Sequence, residues 1–322
     1  MKYRPLGRSA LKVSALCLGT MSFGPRTSEP DSFAILDAAL EAGINFVDTA
    51  DQYGGHLGVG TTEAILGRWL AQDPARRDRI VLATKVHEPM SDDVNDRGLS
   101  ARHIQRACEA SLRRLGVDHI DLYQMHHIDR AASIEEIWQA MDRLIAEGKI
   151  TYVGSSNFPG WSIARMNEKA IAKGNLGLIS EQSLYNLIER RAELEVLPAC
   201  SAYGLGVITW SPLAGGLLAG ASPAAPGGRR QSEDAVRAAA ARTAQLDRFA
   251  ALCGRLGQSP SAVALAWLLH QPAITATIIG PREIGQLTSV LHVPELTLGG
   301  ETLAALDEIF PACGPAPEAY AW

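Results

Sequence analysis

A chain of 322 residues with 47% hydrophobic and 20% charged side chains can bury a large core, arranged as two domains or as one α/β barrel. Its net charge of -5, with basic residues scattered, leaves no electrostatic footprint for nucleic acid or an anionic membrane surface. Five cysteines, far apart and never in a C-x-x-C pair, argue for reduced thiols in the cytoplasm over a disulfide framework or a zinc site.

From the N-terminus, MKYRPLGRSALKVSALCLG shows neither the apolar core nor the cleavage site of a signal peptide. Within it, KYRPLGRSALKVS predicts a small hairpin turning at Gly7-Arg8. Strand-like runs follow in order: VSALCLG, INFVDTA, RIVLATK, HIDLYQMH, ITYVGSSN, GLISEQSLYN, GVITWSPL and ATIIGP. Amphipathic segments alternate with them, among them DSFAILDAALEAG, TTEAILGRWLAQ, SARHIQRACEASLRRLG, SIEEIWQAMDRLIAEGK and GWSIARMNEKAIAKG. Asp31, Thr61, Ser100 and Ser133 are the expected N-caps, and Gly43, Gly116, Gly148 and Gly174 the expected C-terminal stops. Ser133 with Glu136 fits a capping box. The uncharged stretch Leu256–Pro281 is broken by Gln258, Pro260, His270, Gln271 and Pro272, and reads as a buried helix followed by a strand.

This alternation predicts a parallel sheet with right-handed crossovers, and about eight repeats fit a closed (β/α)8 TIM barrel. The whole of residues 1–322 is expected to form that single domain, with the hairpin plugging its bottom. No G-x-G-x-x-G motif opens a helix after the first strand, which argues against a Rossmann half. Two connections are long, HEPMSDDVNDRG and AGGLLAGASPAAPGGRRQSED, and are expected to act as lids over the catalytic face.

Four residues stand at or just after strand ends: Asp48, Tyr53, Lys85 and His126. Chemistry in a parallel barrel gathers at that end. A phenol has an ordinary pKa of about 10. An ammonium at Lys85 is expected to lower it, with Asp48 holding the lysine charged. His126 then donates to a substrate oxygen or relays the proton. Such a set protonates a carbonyl oxygen as it becomes an alkoxide. His127 invites a metal reading, but adjacent strand residues point to opposite faces, and no H-x-H or carboxylate partner accompanies it. No metal site is expected.

The motifs FVDTADQYG, LATK, DLYQMHHID, YVGSSNF, EQSLYN and TWSPLAGGLL resemble the aldo-keto reductase superfamily, in its long-loop bacterial branch related to potassium-channel β subunits. The resemblance runs from GRSALKVSALCLGTMSFG to IIGPREIGQL and implies an (α/β)8 barrel that binds NADPH. It maps the family's catalytic tetrad onto Asp48, Tyr53, Lys85 and His126, with Tyr53 as general acid. It implies that Ser156, Asn157 and Gln182 hold the nicotinamide carboxamide and that Trp210 stacks on the ring. Ser211, Leu213, Gly215 and Leu217 are to wrap the pyrophosphate, while Gly280, Arg282 and Gln286 read the adenosine 2'-phosphate, with minor help from Arg229 or Arg230. Ser289 and Val290 depart from the acidic residue and asparagine that often contact adenine in the family. The expected pocket lining is Met21, Phe23, His56, His87, His127 and Phe158, with the tail PACGPAPEAYAW closing over it or hanging free.

The expected activity is NADPH-dependent reduction of an aldehyde or ketone by direct hydride transfer. Two alternatives share the fold: an NADPH-binding regulatory subunit and an NAD-linked sugar dehydrogenase.

Overall fold

Eight parallel strands close on themselves: β3 (Leu16–Gly19), β4 (Phe46–Asp48), β5 (Val81–Val86), β6 (Ile120–Met125), β7 (Ile150–Ser156), β8 (Leu178–Leu184), β9 (Gly206–Trp210) and β10 (Ile274–Ile279). Neighbours pair in chain order and β10 pairs with β3, giving the expected (β/α)8 barrel. This computed structural model describes residues 1–220, 237 and 240–321.

The strands carry apolar side chains on both faces, as parallel strands sandwiched between a barrel interior and a helix layer must. Cys17, Phe46, Val81, Ala83, Leu122, Ile179, Ile208 and Ala276 pack together in one cluster. A second, larger cluster carries the facing helix residues, among them Leu36, Ile65's neighbour Leu66, Ile104, Trp138 and Ile163. The helix Pro260–His270 buries all of Ala262–Leu269 and leads into β10, as its lack of charges predicted. No described helix is long and apolar enough to cross a membrane.

The hairpin pairs β1 (Tyr3–Pro5) with β2 (Lys12–Ser14) and drives Leu6 into the barrel-interior cluster. Its turn needs glycine twice over. Gly7 has φ +56, and a Cβ there would lie 2.3 Å from the Ile179 carbonyl oxygen.

Capping departs from the sequence expectation in three places. Ser28, not Asp31, caps the first helix and accepts from the Asp31 amide at 3.3 Å. Gly60 precedes the helix Thr61–Gln72, so Thr61 is its first residue and not its cap. Ser133 accepts from the Glu136 amide, but the Glu136 carboxylate accepts from the Ala101 amide at 2.9 Å, satisfying the neighbouring helix's start in place of its own. Ser100 caps as expected. Of the second long loop only Ala214–Ala219 and Gly220 are described, so Arg229 and Arg230 lie outside the described residues.

Candidate active site

Side chains alternate across a strand, and that parity selects the site. Phe46 and Asp48 share the inward face of β4, as do Val81, Ala83 and Lys85 on β5. On β6, Leu122 and Gln124 point inward, and His126 follows just beyond the strand's end. The apolar residues fill the barrel and the polar ones crown it.

Lys85 Nζ lies 2.5 Å from Asp48 Oδ2 and donates to the Thr49 carbonyl at 2.8 Å. It also reaches Tyr53 Oη at 3.4 Å. Both members of the ion pair are fully buried. Asp48 Oδ1 accepts from Gln124 Nε2 at 3.0 Å and from Gln182 Nε2 at 2.9 Å. The carboxylate is thus satisfied on both oxygens, which a buried charge requires. Burial alone favours neutral Lys85, yet Asp48 and Tyr53 outweigh it and hold the ammonium above its ordinary pKa.

For Tyr53 the balance runs opposite to the sequence expectation. Burial raises the phenol and outweighs Lys85, which pulls it down, so the net shift is upward. The hydroxyl of the free protein therefore stays protonated across the neutral range. Lys85 limits the rise instead of producing a low pKa.

The reading of His126 and His127 on opposite faces is overturned. Both lie beyond Met125, where the strand has ended and the chain bends, so period-two alternation no longer applies. Their rings stack, with centroids 5.0 Å apart and planes at 9°. His127 meets His87 edge-on at 5.4 Å, and Tyr53 meets His126 edge-on at 5.9 Å. Burial, reinforced by Lys85 and the neighbouring histidines, pushes His126 down to about 2, so its imidazole is neutral. Among the described residues no group of three or more His, Cys, Asp or Glu side chains is arranged to hold a metal ion.

Ser156, Asn157, Gln182 and Trp210 gather beside this set. Trp210 Nε1 donates to Asn157 Oδ1 at 2.9 Å, and Asn157 Nδ2 donates to the His126 carbonyl at 3.1 Å and to Ser156 Oγ at 3.0 Å. Ser156 Oγ donates to the Gln182 carbonyl at 2.9 Å. Gln182 Nε2 also approaches Gln124 Oε1 at 3.3 Å. A carboxylate and a carbonyl only accept, and an indole N–H only donates, so neither amide can be flipped. The donors of Asn157 and Gln182 are committed to protein, and what they have left for a ligand is acceptor capacity. That suits the NH2 of a primary amide.

Beyond β9 the chain turns through positive φ at Ser211 (+50°), Ala214 (+49°), Gly215 (+65°) and Gly216 (+99°). A Cβ at Gly215 would meet none of the described residues within 4 Å. Leu213 lies in this turn and accepts from the Gly216 amide at 2.8 Å, and Leu217 belongs to the same short helix. A Cβ at Gly280 would meet only the Gly19 carbonyl oxygen, at 4.0 Å, and Arg282 receives the Gln286 side chain on its backbone amide at 2.9 Å. Val290 is buried in the core, so it faces no ligand, while Ser289 is exposed and donates to the Gln286 carbonyl. Phe23 and Phe158 are also buried in the core and expose too little surface to line a pocket, whereas Met21 is 41% exposed.

Three buried carboxyls escaped the sequence reading: Asp51, Glu63, which accepts from Thr84 Oγ1 at 2.6 Å and Arg114 Nε at 2.7 Å, and Glu181. Among the described residues neither buried carboxyl oxygen of Asp51 has a hydrogen-bond partner, and burial with the nearby Glu63 raises its pKa well above the usual range, against Arg114 and the Gln52 backbone. Glu181 accepts from the Phe158 amide at 3.1 Å, from Ser183 Oγ at 2.9 Å and from Ser155 Oγ. Burial outweighs these bonds and lifts its pKa from 4.5 to about 7. Its folded form therefore binds a proton more tightly than its unfolded form, and stability declines as pH rises from about 4.5 to about 7. Glu181→Gln keeps the accepting oxygen and can turn its NH2 to Ser155 Oγ. Urea unfolding should show this variant more stable than the parent by roughly 3 kcal/mol at pH 8, with the gain vanishing near pH 4.5. A gain independent of pH would contradict the assignment.

The model of the Aldo/keto reductase family matches residues 15–310. The chain belongs to that family. This aldo/keto reductase is 50% identical to the Uncharacterized oxidoreductase YrpG of Bacillus subtilis (strain 168), over the full length of both chains. It is 34% identical to the Versiconal hemiacetal acetate reductase of Aspergillus parasiticus, over 96% of each chain. It is also 34% identical to the Probable voltage-gated potassium channel subunit beta of Oryza sativa subsp. japonica, over 89% of each. Family and relatives together make this aldo/keto reductase an NAD(P)H-dependent oxidoreductase that reduces carbonyl groups.

Proposed function

We propose that the protein reduces an aldehyde or ketone to the alcohol with NADPH, with Tyr53 as the general acid. The single observation that carries this reading is the buried Asp48–Lys85 pair with Lys85 Nζ 3.4 Å from the Tyr53 hydroxyl. A bound reduced nicotinamide supplies the hydride that adds to the carbonyl carbon. Tyr53 gives its proton to the carbonyl oxygen, and Lys85 stabilises the phenolate left behind, its own charge balanced by Asp48. The neutral His126 keeps its proton on Nε2 and offers it to the same oxygen, leaving the buried Nδ1 as a lone pair. Asn157 and Gln182 accept from the carboxamide, Trp210 stacks on the ring, and the Ser211–Leu217 turn gives the pyrophosphate access to backbone. Arg282, with Gln286 supporting its backbone, pairs with the 2'-phosphate.

The test follows the near-ultraviolet absorbance of the reduced nicotinamide with a reactive aromatic aldehyde, using NADPH and NADH in parallel. Faster turnover with NADPH is expected. Turnover better with NADH would favour the NAD-linked dehydrogenase alternative. Tight NADPH binding with no turnover would favour a regulatory subunit, the class to which the name of the Oryza sativa relative, a probable potassium channel subunit beta, belongs. Arg282→Ala should raise Kd for NADPH about tenfold or more, since a charge-assisted pair contributes about 1.5–3 kcal/mol. Kd for NADH should hardly move, and equal weakening of both would remove the phosphate role.

A further inference from the structure

An imidazole ring turns easily about its Cβ–Cγ bond, because that torsion is broad and roughly two-fold. A histidine that must aim one nitrogen at a substrate is therefore usually held by a hydrogen bond at the other. His126 lacks that anchor: among the described residues its buried Nδ1 has no hydrogen-bond partner. Its backbone is fixed, with the amide donating to the Val86 carbonyl at 2.9 Å, but among the described residues no hydrogen bond fixes the ring. Two rings touch it instead. Tyr53 stands edge-on at 74°, and His127 lies flat against it at 9° and 5.0 Å.

His127 is itself held from two further sides. The ring of His87 meets it edge-on at 68°, and Glu88 Oε1 lies 3.2 Å from His127 Nε2 and 3.5 Å from His87 Nδ1. The row Tyr53, His126, His127, His87 is thus braced at its outer end by one carboxylate. Tyr53 is T-shaped to His126, with centroids 5.9 Å apart, whereas His127 lies parallel to it at 5.0 Å. The flat face of His127 is the remaining constraint.

We propose that His127 is a positioning residue, whose ring clamps the plane of His126 by stacking and so takes the place of the missing Nδ1 hydrogen bond. This rests on the reductase reading above for its catalytic consequence, though not for its geometry. The clamp acts through the ring's flat face and not through its nitrogens, which separates it from a role in proton relay or in binding substrate.

Three proteins test it: the full chain, His127→Ala and His127→Phe. An aromatic pair of this kind is worth enough to change kcat by about three- to tenfold. His127→Ala should lose that factor in kcat, with cofactor Kd unchanged and aldehyde KM changed less than kcat. His127→Phe, which keeps a flat ring and drops the nitrogens, should recover to within about twofold. An unchanged kcat in the alanine variant, or a phenylalanine variant as slow as alanine, overturns the clamp. Should the parent reduce no carbonyl at all, the reductase reading fails and the clamp is read by NMR. The His126 Cε1–H resonance should then sit upfield in the parent and in His127→Phe, and move downfield and broaden in His127→Ala. An unmoved resonance in His127→Ala would overturn the clamp on its own.

Discussion

Tyr53→Phe is expected to lower kcat for carbonyl reduction by about 10²–10⁴-fold, the range a positioned general acid contributes. The substitution removes one hydroxyl and little else. The phenyl ring keeps its edge-on contact with His126, and Lys85 keeps both Asp48 and the Thr49 carbonyl. Fold stability and cofactor Kd should therefore stay close to the parent's, and steady-state kinetics beside fluorescence titration of cofactor would show it. Activity surviving within a few-fold would move the acid role elsewhere. The upward shift of the phenol adds a directional expectation. Reduction needs Tyr53 protonated and should hold steady up to its ordinary value of about 10, whereas alcohol oxidation needs phenolate and should climb through the alkaline range.

The barrel was legible because its cause is local. Each strand is a short apolar run, and each helix has its apolar face spaced for a barrel wall, so all eight strands fall where the sequence places them. The crown was legible for a related reason. Asp48 and Lys85 sit two residues beyond inward-facing Phe46 and Ala83, so parity alone aims them at the axis. The same rule would have found Gln124, two residues before His126, whose amide helps hold Asp48. Parity fails where strands stop. His126 and His127 follow the end of β6, and the bend there lays their rings side by side. Glu136 shows another limit: its sequence fits its own helix's cap, but the Ala101 amide of the preceding helix lies within reach and takes the carboxylate. Phe23 and Phe158 were misplaced because position near a strand end does not say which side of a loop faces the core. The charge balance at Tyr53 could not be read at all, since burial and the nearby ammonium act in opposite directions and only three-dimensional placement weighs them.

Lys85→Met should be the most destabilising single change in the site. It leaves a buried carboxylate with its principal partner gone, and breaking such a pair by removing one member costs about 3–5 kcal/mol. Gln124 and Gln182 still donate to Asp48 Oδ1, so the loss belongs near the lower end of that range. The cost arises from the charge left behind, not from the missing amine, and this makes the expectation separable. Adding Asp48→Asn in the Lys85→Met background removes the orphaned charge, while its amide oxygen can still accept from the two glutamines. Urea unfolding should place the double variant well above Lys85→Met, though both remain inactive because neither retains an ammonium beside Tyr53. A double variant as unstable as Lys85→Met would mean that the pair is not what the buried site depends on. Recovery of stability with recovery of activity would mean that the ammonium is not needed for proton transfer. Stability regained without activity is the expected result, because the ion pair that the fold merely tolerates is the one that the chemistry requires.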